Sequence, residues 1–315
     1  MRIALAIVVC VIATSLALAS ERFDVTRNWQ GQQINLRPEL FMPAQADKPV
    51  PVIVVLHGSA GLKPAHVELA REFTKMGVAG VAVDSFGPRK IGSTAQDQQK
   101  LTEYAMLVDA VRTAQELANN PKIEATRIGL IGFSKGGTVA IMAALDRYTK
   151  RFKTGGPYRL LIAVYPSCTD FPLDFTPNQM SLKLLLGEKD TYTSVASCED
   201  YAGRLKAKGG DVAATIYKGA KHGWFVPGDT NHVNPNAQNF SKCHFDEIAS
   251  DTWVERKSQI KTAENGVFLP DSHKQAISHC VTRGAVSGYN KSAHDESLRD
   301  IRRYVQDAFK TGDSK

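Results

Sequence analysis

Beyond residue 20 the sequence has no apolar run long enough to cross a bilayer, no low-complexity tract and no repeat at solenoid or propeller periods. Those absences argue against a polytopic membrane protein, a disordered chain and a repeat array. No block of lysine and arginine interleaves with aromatics. The net charge of +7, from 39 Lys+Arg against 32 Asp+Glu, is scattered among acids and reads as a solvated surface, not a nucleic-acid footprint. The 24 Gly and 14 Pro are dispersed, which excludes collagen-like composition. Cysteine is scarce at five residues, and none forms the C-x-x-C pair of a zinc knuckle or redox motif. What remains, with 43% hydrophobic and 23% charged residues in 315, is an ordinary globular composition. The length suits one large α/β domain or two small ones.

The start of the chain reads differently. Arg2 precedes an uncharged run from Ile3, which ends in the small residues Ala17, Ala19 and Ser20. A basic start, a short apolar stretch and a small-x-small end form a secretory signal peptide over residues 1–19. The rival reading is an uncleaved anchor. Cys10 has no small residue before it and is not read as a lipidation site. The expected product is an exported protein, periplasmic or secreted, without stable membrane insertion. Four cysteines then remain: Cys168, Cys198, Cys243 and Cys280. In an oxidising compartment they suggest two disulfides, for which sequence alone leaves three connectivities open. Cys243-His244 with His279-Cys280 is the alternative, a zinc set, though its spacing fits disulfides better.

Strand and helix patterns alternate along residues 33–225. Gln33–Pro43 alternates in polarity. Val52–Leu56, Val78–Asp84, Arg127–Phe133, Leu160–Tyr165, Leu182–Leu186 and Val212–Tyr217 read as strands, several of them continuous apolar runs suited to burial on both faces of a parallel sheet. Helices are expected at Ala65–Met76, Ala95–Asn119, Gly136–Tyr148 and Val195–Lys208. The second of these carries Leu101, Tyr104, Val108 and Val111 on one stripe. Such alternation implies βαβ units and a mostly parallel sheet with helices on both faces. Ligands then bind beyond the carboxyl ends of the strands. Residues 226–289 are polar and weakly periodic, and Ala293–Lys310 returns to an amphipathic helix. The stretch reads as an insertion before the last helix of a single domain spanning 20–315; a separate small domain is the alternative.

The polar motifs sit where those strands end. Gly132-Phe133-Ser134-Lys135-Gly136 matches G-x-S-x-G between a strand and a helix, the setting that holds a nucleophilic serine on a sharp turn. A bare capping turn is the plainer reading. Serine needs a base held by an acid. Asp190 and His222 follow the next strands in the order Ser, Asp, His. Glu188 is the rival acid. The loop His57-Gly58-Ser59-Ala60-Gly61 can offer the Ser59 amide, with the amide of Lys135, to a developing oxyanion. His57 is read as a support beneath that loop.

HGSAGL at 57–62, VDSFGPR at 83–89, GFSKGG at 132–137, LLLGEKD at 184–190 and KGAKHGWF at 218–225 together resemble the dienelactone hydrolase family of the α/β-hydrolase superfamily. The resemblance spans about residues 30–225 and the last helix. The family's prototypes use a cysteine nucleophile helped by a glutamate after the first core strand. Ser134 and Gly58 occupy those positions here, so the resemblance implies a serine esterase. Arg89 matches an arginine that faces the substrate carboxylate in the family, and can bind one bidentately. The alternative is that it ties down its own loop. Trp224 and Phe225 are candidates for the acyl pocket or for packing. In this sheet Cys168 would pair with Cys198 and Cys243 with Cys280. The function expected is hydrolysis of a small-molecule ester, lactone or thioester through an acyl-enzyme, with no cofactor or metal. A serine peptidase-like hydrolase and a non-catalytic envelope binding module are the alternatives.

Overall fold

β-Branched runs build the centre of the protein. In Val50–Leu56 every residue is buried. Its side chains alternate between two cores: Val52, Val54 and Leu56 pack with Met106, Ala110, Val139 and Leu205, whereas Ile53 and Val55 pack with Leu69, Phe73, Ile301 and Phe309. A period-2 strand thus fills helix layers on both faces. Each fully buried aliphatic side chain contributes about 1.5–3 kcal/mol before entropy is subtracted. The computed structural model describes residues 20–151, 158–228 and 230–310. The expected signal peptide lies outside them.

The central sheet has eight strands, in the order Ser20–Arg22, Glu39–Phe41, Ala79–Val83, Val50–Leu56, Ile123–Phe133, Tyr158–Val164, Ser181–Gly187 and Val212–Tyr217. The first two join antiparallel and the other six run parallel. Helices Glu103–Ala118, Lys135–Ala143 and Val195–Ala207 cover one face, and Pro64–Glu72 and Lys291–Phe309 the other. This is an α/β-hydrolase fold. The motif loops 57–61, 134, 187–193 and 218–223 emerge together at the carboxyl edge, as crossover topology requires.

Several expectations shift in detail. The helix expected from Ala95 begins at Glu103, because Thr102 caps it by accepting from the Ala105 amide at 3.2 Å. Ala95–Leu101 is instead a loop with one 3-10 turn at Gln98–Lys100. Its expected stripe holds in part: Leu101 and Val111 are buried, but Tyr104 is 37% exposed, and Ala105, Met106, Leu107, Ala110 and Ala114 share the packing. Small alanines pack closely against the sheet but register weakly as hydrophobic in a pattern. The alternating run at 33–43 divides at Arg37, whose φ is 46°, ahead of Pro38. Gln32–Asn35 joins a hairpin with Thr26–Trp29, and only Glu39–Phe41 enters the main sheet. The helix expected over 136–148 is two, Lys135–Ala143 and Asp146–Arg151.

The stretch after residue 226 is β-rich. Phe245–Ala249, Thr252–Glu255, Lys261–Glu264 and Val267–Phe268 form a sheet with a strand from elsewhere, Asp170–Phe171, which pairs parallel with Phe245-Asp246. A ribbon of His232–Asn239 with Thr282–Ser287 flanks it. The cysteines are bonded as Cys168–Cys198 and Cys243–Cys280. The second bond consumes both thiols of the alternative zinc set, and His244 bonds the Ser197 hydroxyl at 2.9 Å. Aliphatics are few here, and Cys243, Phe245 and Cys280 form the small core. Because a disulfide dominates that core, Cys243→Ser with Cys280→Ser is expected to lower stability by about 3–4 kcal/mol on the loop-entropy estimate. Denaturant unfolding of the oxidised protein measures this; an unchanged midpoint would show that the segment holds without its bridge.

Candidate active site

Ser134 sits at φ 53° and ψ −114°, in backbone space that L residues avoid. Holding a residue there costs on the order of 1–3 kcal/mol, met by the surrounding structure. Its amide donates to the Val164 carbonyl at 2.9 Å, which seats the turn on the neighbouring strand. Two glycines permit the crossing. A Cβ on Gly132 would lie 1.9 Å from the Gly136 carbonyl oxygen, and one on Gly136 would lie 2.7 Å from that of His57. The Oγ is thereby presented at the sheet edge.

His222 meets it there. Its Nε2 lies 3.0 Å from Ser134 Oγ, and its Nδ1 lies 2.8 Å from Asp190 Oδ2. Tyr165 and Tyr192 hold the imidazole between them, with ring centroids 4.8 and 4.9 Å away. Asp190 also accepts from the amides of Tyr192 and Thr193 at 2.8 and 2.9 Å, and from the Thr193 hydroxyl at 2.8 Å. Burial pushes the Asp190 carboxyl up, but His222 and the Thr193 donors outweigh it and hold the group below its ordinary range. The rival acid, Glu188, points away and accepts from the Gly219 amide at 2.9 Å.

The two residues expected to donate their amides border the same cleft as Ser134. Gly58 O accepts from His57 Nδ1 at 2.8 Å and from the Gly61 amide at 3.1 Å. The trans peptide therefore turns the Ser59 N–H the opposite way. Lys135 N–H opens the helix that follows Ser134. Among the described residues neither amide is engaged by another group, and both residues line the cleft with Ser134. The Ser85 amide donates to His57 Nε2 at 3.1 Å, so the ring is the neutral Nδ1–H tautomer. Burial lowers its pKa against the upward pull of the Gly58 carbonyl. The Lys135 side chain is buried, with its Nζ 2.8 Å from Glu103 Oε1 and 3.2 Å from the Gln98 carbonyl.

Arg89 does not reach this site. Its guanidinium is fully buried and grips both oxygens of Asp109 at 2.9 Å, while Arg27 adds a bond of 2.6 Å to the same carboxylate. Trp29 covers the Arg89 guanidinium at 5.2 Å. The buried acid takes both terminal nitrogens of Arg89 inside the fold and ties its loop and the N-terminal hairpin to helix Glu103–Ala118. Trp224 and Phe225 are likewise interior. Trp224 Nε1 donates to Ser297 Oγ at 3.3 Å, and Phe225 packs on Phe133 and His294. Neither lines the cleft.

The cleft measures about 480 Å³ and runs from Ser134 beneath the late β-rich segment, which supplies Phe240, Phe245, Trp253 and Phe268 to its wall. Its cations are paired: Lys135 with Glu103, and Arg147 with Glu247 and Asp251. Asp170 forms no ion pair among the described residues. It is open to the cleft yet surrounded, and burial, reinforced by Glu103, pushes its carboxyl up to about 6. Sequence reasoning missed Gln98, Tyr192, Thr193 and Asp170. Only Thr193 carried a signal, as a hydroxyl shortly after the acid.

A model of the dienelactone hydrolase family matches residues 36–247. A Bradyrhizobium protein described as a probable 2-oxo-3-(5-oxofuran-2-ylidene)propanoate lactonase is 25% identical over 185 residues, 55% of this chain and 73% of its own. The fold is shared with a dienelactone hydrolase-like promiscuous phosphotriesterase from metagenomic libraries: TM-score 0.58, 15% identity, 92% of this chain and 99% of that one. It is shared too with an esterase of Pyrobaculum calidifontis: TM-score 0.51, 18% identity, 66% and 78% of the two chains.

Two outcomes follow from the buried charges. Asp109→Ala orphans two guanidinium groups and is expected to lower unfolding free energy by about 3–5 kcal/mol; a wild-type denaturation midpoint would refute the cluster's role. Beneath the Ser59 loop, burial holds His66 at about 3, with further lowering by His57. The unfolded chain protonates this imidazole near pH 6.5, so unfolding takes up a proton between about pH 6.5 and 3 and stability falls as the pH drops through that window. The melting temperature should decline between pH 7 and 5, and less steeply in His66→Gln. Equal slopes would contradict it.

Proposed function

The chain belongs to the dienelactone hydrolase family, and from that premise we propose that it is an exported serine hydrolase that cleaves an uncharged carboxylic ester or lactone through an acyl-enzyme. The hydrogen-bonded series Ser134 Oγ, His222 Nε2, His222 Nδ1, Asp190 Oδ2, at 3.0 and 2.8 Å, carries this reading. As Ser134 Oγ attacks the substrate carbonyl, His222 Nε2 takes its proton. Asp190, ionised and fixed by Thr193, keeps the His222 proton on Nδ1 and stabilises the imidazolium. The amides of Ser59 and Lys135 receive the oxyanion as the tetrahedral intermediate forms; one such donor is worth roughly 3–4 kcal/mol of barrier. Collapse breaks the bond to the alcohol, which leaves with the proton from His222. Water, deprotonated by His222, then attacks the acyl carbonyl; the bond to Ser134 Oγ breaks, the carboxylic acid departs, and Oγ takes the proton back from His222.

Charge and size restrict the substrate. The arginine position that suggested carboxylate binding is spent on Asp109. Both cleft cations are paired and Asp170 is not, so an anionic limb would meet repulsion without a counter-charge. This contrasts with the propanoate carboxylate in the name of the Bradyrhizobium relative's substrate. A cleft of about 480 Å³ walled by aromatic side chains accommodates a limb well beyond acetyl. Export draws support from the two disulfides and from the leader-like residues 1–19.

A fluorophosphonate should label Ser134 covalently, and Ser134→Ala should abolish both labelling and turnover; labelling that persists would refute the assignment. Between matched esters, the uncharged one should be hydrolysed with a kcat/KM at least about tenfold above its carboxylate analogue, equivalent to one poorly screened repulsion. Asp170→Asn should narrow that ratio. A preference for the carboxylate would overturn the charge argument and leave the serine chemistry standing.

A further inference from the structure

Gln98 lines the cleft and hydrogen-bonds neighbours of several parts of the site. Its Oε1 accepts from Ser59 Oγ at 3.0 Å and from Thr94 Oγ1 at 3.3 Å. Its Nε2 donates to Tyr192 Oη at 3.4 Å. Its carbonyl accepts from Lys135 Nζ at 3.2 Å, and its amide donates to Gln238 Oε1 at 2.9 Å. Thr94 is close in sequence, but the other four partners belong to four different segments: the loop after Val50–Leu56, the loop of the acid, the helix opened by the nucleophile's turn, and the β-rich segment over the cleft.

We propose that Gln98 is a positioning residue that holds the Ser59 amide at a fixed distance from the His222–Asp190 pair. The argument is one of constraints. The Ser59 carbonyl accepts from the Thr94 amide and from Ser93 Oγ, both at 2.9 Å. With its hydroxyl bound to Gln98, Ser59 is gripped at two points by the 93–98 segment, which leaves its N–H to face the cleft. On the other side, Tyr192 lies edge-on to the His222 ring and donates its own amide to Asp190. The Gln98 carboxamide thus spans the gap between the group that stabilises the oxyanion and the group that orients the base. Nothing in the chemistry of proton transfer requires an amide there, but the geometry of the intermediate does, since both must act on one substrate atom cluster. The Tyr192 phenol, pushed up to about 12 by burial, remains a neutral hydroxyl able to accept this bond through the working range of a serine hydrolase.

This inference rests on the serine reading above, and the test separates the two. Three variants are measured with a short uncharged ester: Gln98→Met, which keeps length and loses all three side-chain bonds; Ser59→Ala, which keeps the amide and loses the hydroxyl; and Tyr192→Phe, which keeps the ring and loses the phenol oxygen. Gln98→Met should lower kcat about 10- to 100-fold, the penalty of sub-ångström misplacement, with KM within about threefold and melting temperature little changed. Ser59→Ala should lower kcat in the same direction, and the double variant should fall little below Gln98→Met alone, because one contact cannot be removed twice. If Gln98→Met fails to fold, Ser59→Ala and Tyr192→Phe each report one arm. Wild-type kcat in Gln98→Met, a change confined to KM, multiplicative losses in the double variant, or wild-type kcat in both single-arm variants would overturn the proposal. An inactive wild-type enzyme would overturn the serine reading and this one together. An active wild type silenced by Ser134→Ala, with Gln98→Met unaffected, would overturn only the role of Gln98.

Discussion

The backbone of Ser134 is held where a serine would not go by itself, and much of the molecule exists to keep it there. The strained turn requires a strand that ends abruptly at Phe133, a helix that starts at Lys135, and glycines at 132 and 136 that let the two approach within contact distances no Cβ would tolerate. The hydrogen bond from its amide to Val164 ties the turn to the neighbouring strand. That sheet in turn is stable because continuous apolar strands bury both faces against helices. The local penalty is small beside that burial, and it places one oxygen at the point where the loops from three other strand ends converge.

Around that oxygen, polar groups are held in one protonation and orientation by partners with no alternative. His57 can only donate to Gly58 O and accept from Ser85 N, and that fixes the peptide bearing the Ser59 amide. Asp190 receives three donors besides His222 and stays charged. Lys135 and Arg147, which would otherwise present free cations to the cleft, are neutralised within it. The electrostatic asymmetry left over belongs to Asp170. Preorganisation of this kind lets donors meet developing charge without reorganising.

The fold and the meeting of Ser134, Asp190 and His222 were legible because they are written in short-range signals. Parallel strands announce themselves as unbroken β-branched runs, and Ser134, Asp190 and His222 each follow a strand end, in the order the proposed triad requires. What escaped was decided by contacts between distant segments. Arg89 looked available for substrate because nothing near it in sequence shows that Asp109, on another element, fills its fork. Gln98 lay hidden in a stretch read as helix, since Ala95–Leu101 has helical composition and only the Thr102 cap starts the helix later. The polar stretch after 226 gave no period strong enough to read because its strands are short, irregular in register and stapled by a disulfide instead of packed on a hydrophobic core.

The segment over the cleft borrows Asp170–Phe171 from far upstream as its edge strand, and Ser287 and Gly288 at its far end grip the backbone of His222. It is not a cassette. Lifted onto another hydrolase scaffold, residues 226–289 would arrive with an open sheet margin, and the scaffold left behind would lose the anchorage of His222. Deleted from this one, they would expose the aromatic wall's former partners and loosen the imidazole as well. Diversification of substrate range in this lineage is therefore expected to proceed by point changes along the cleft face, because wholesale exchange of the cover would carry off part of the machinery it shelters.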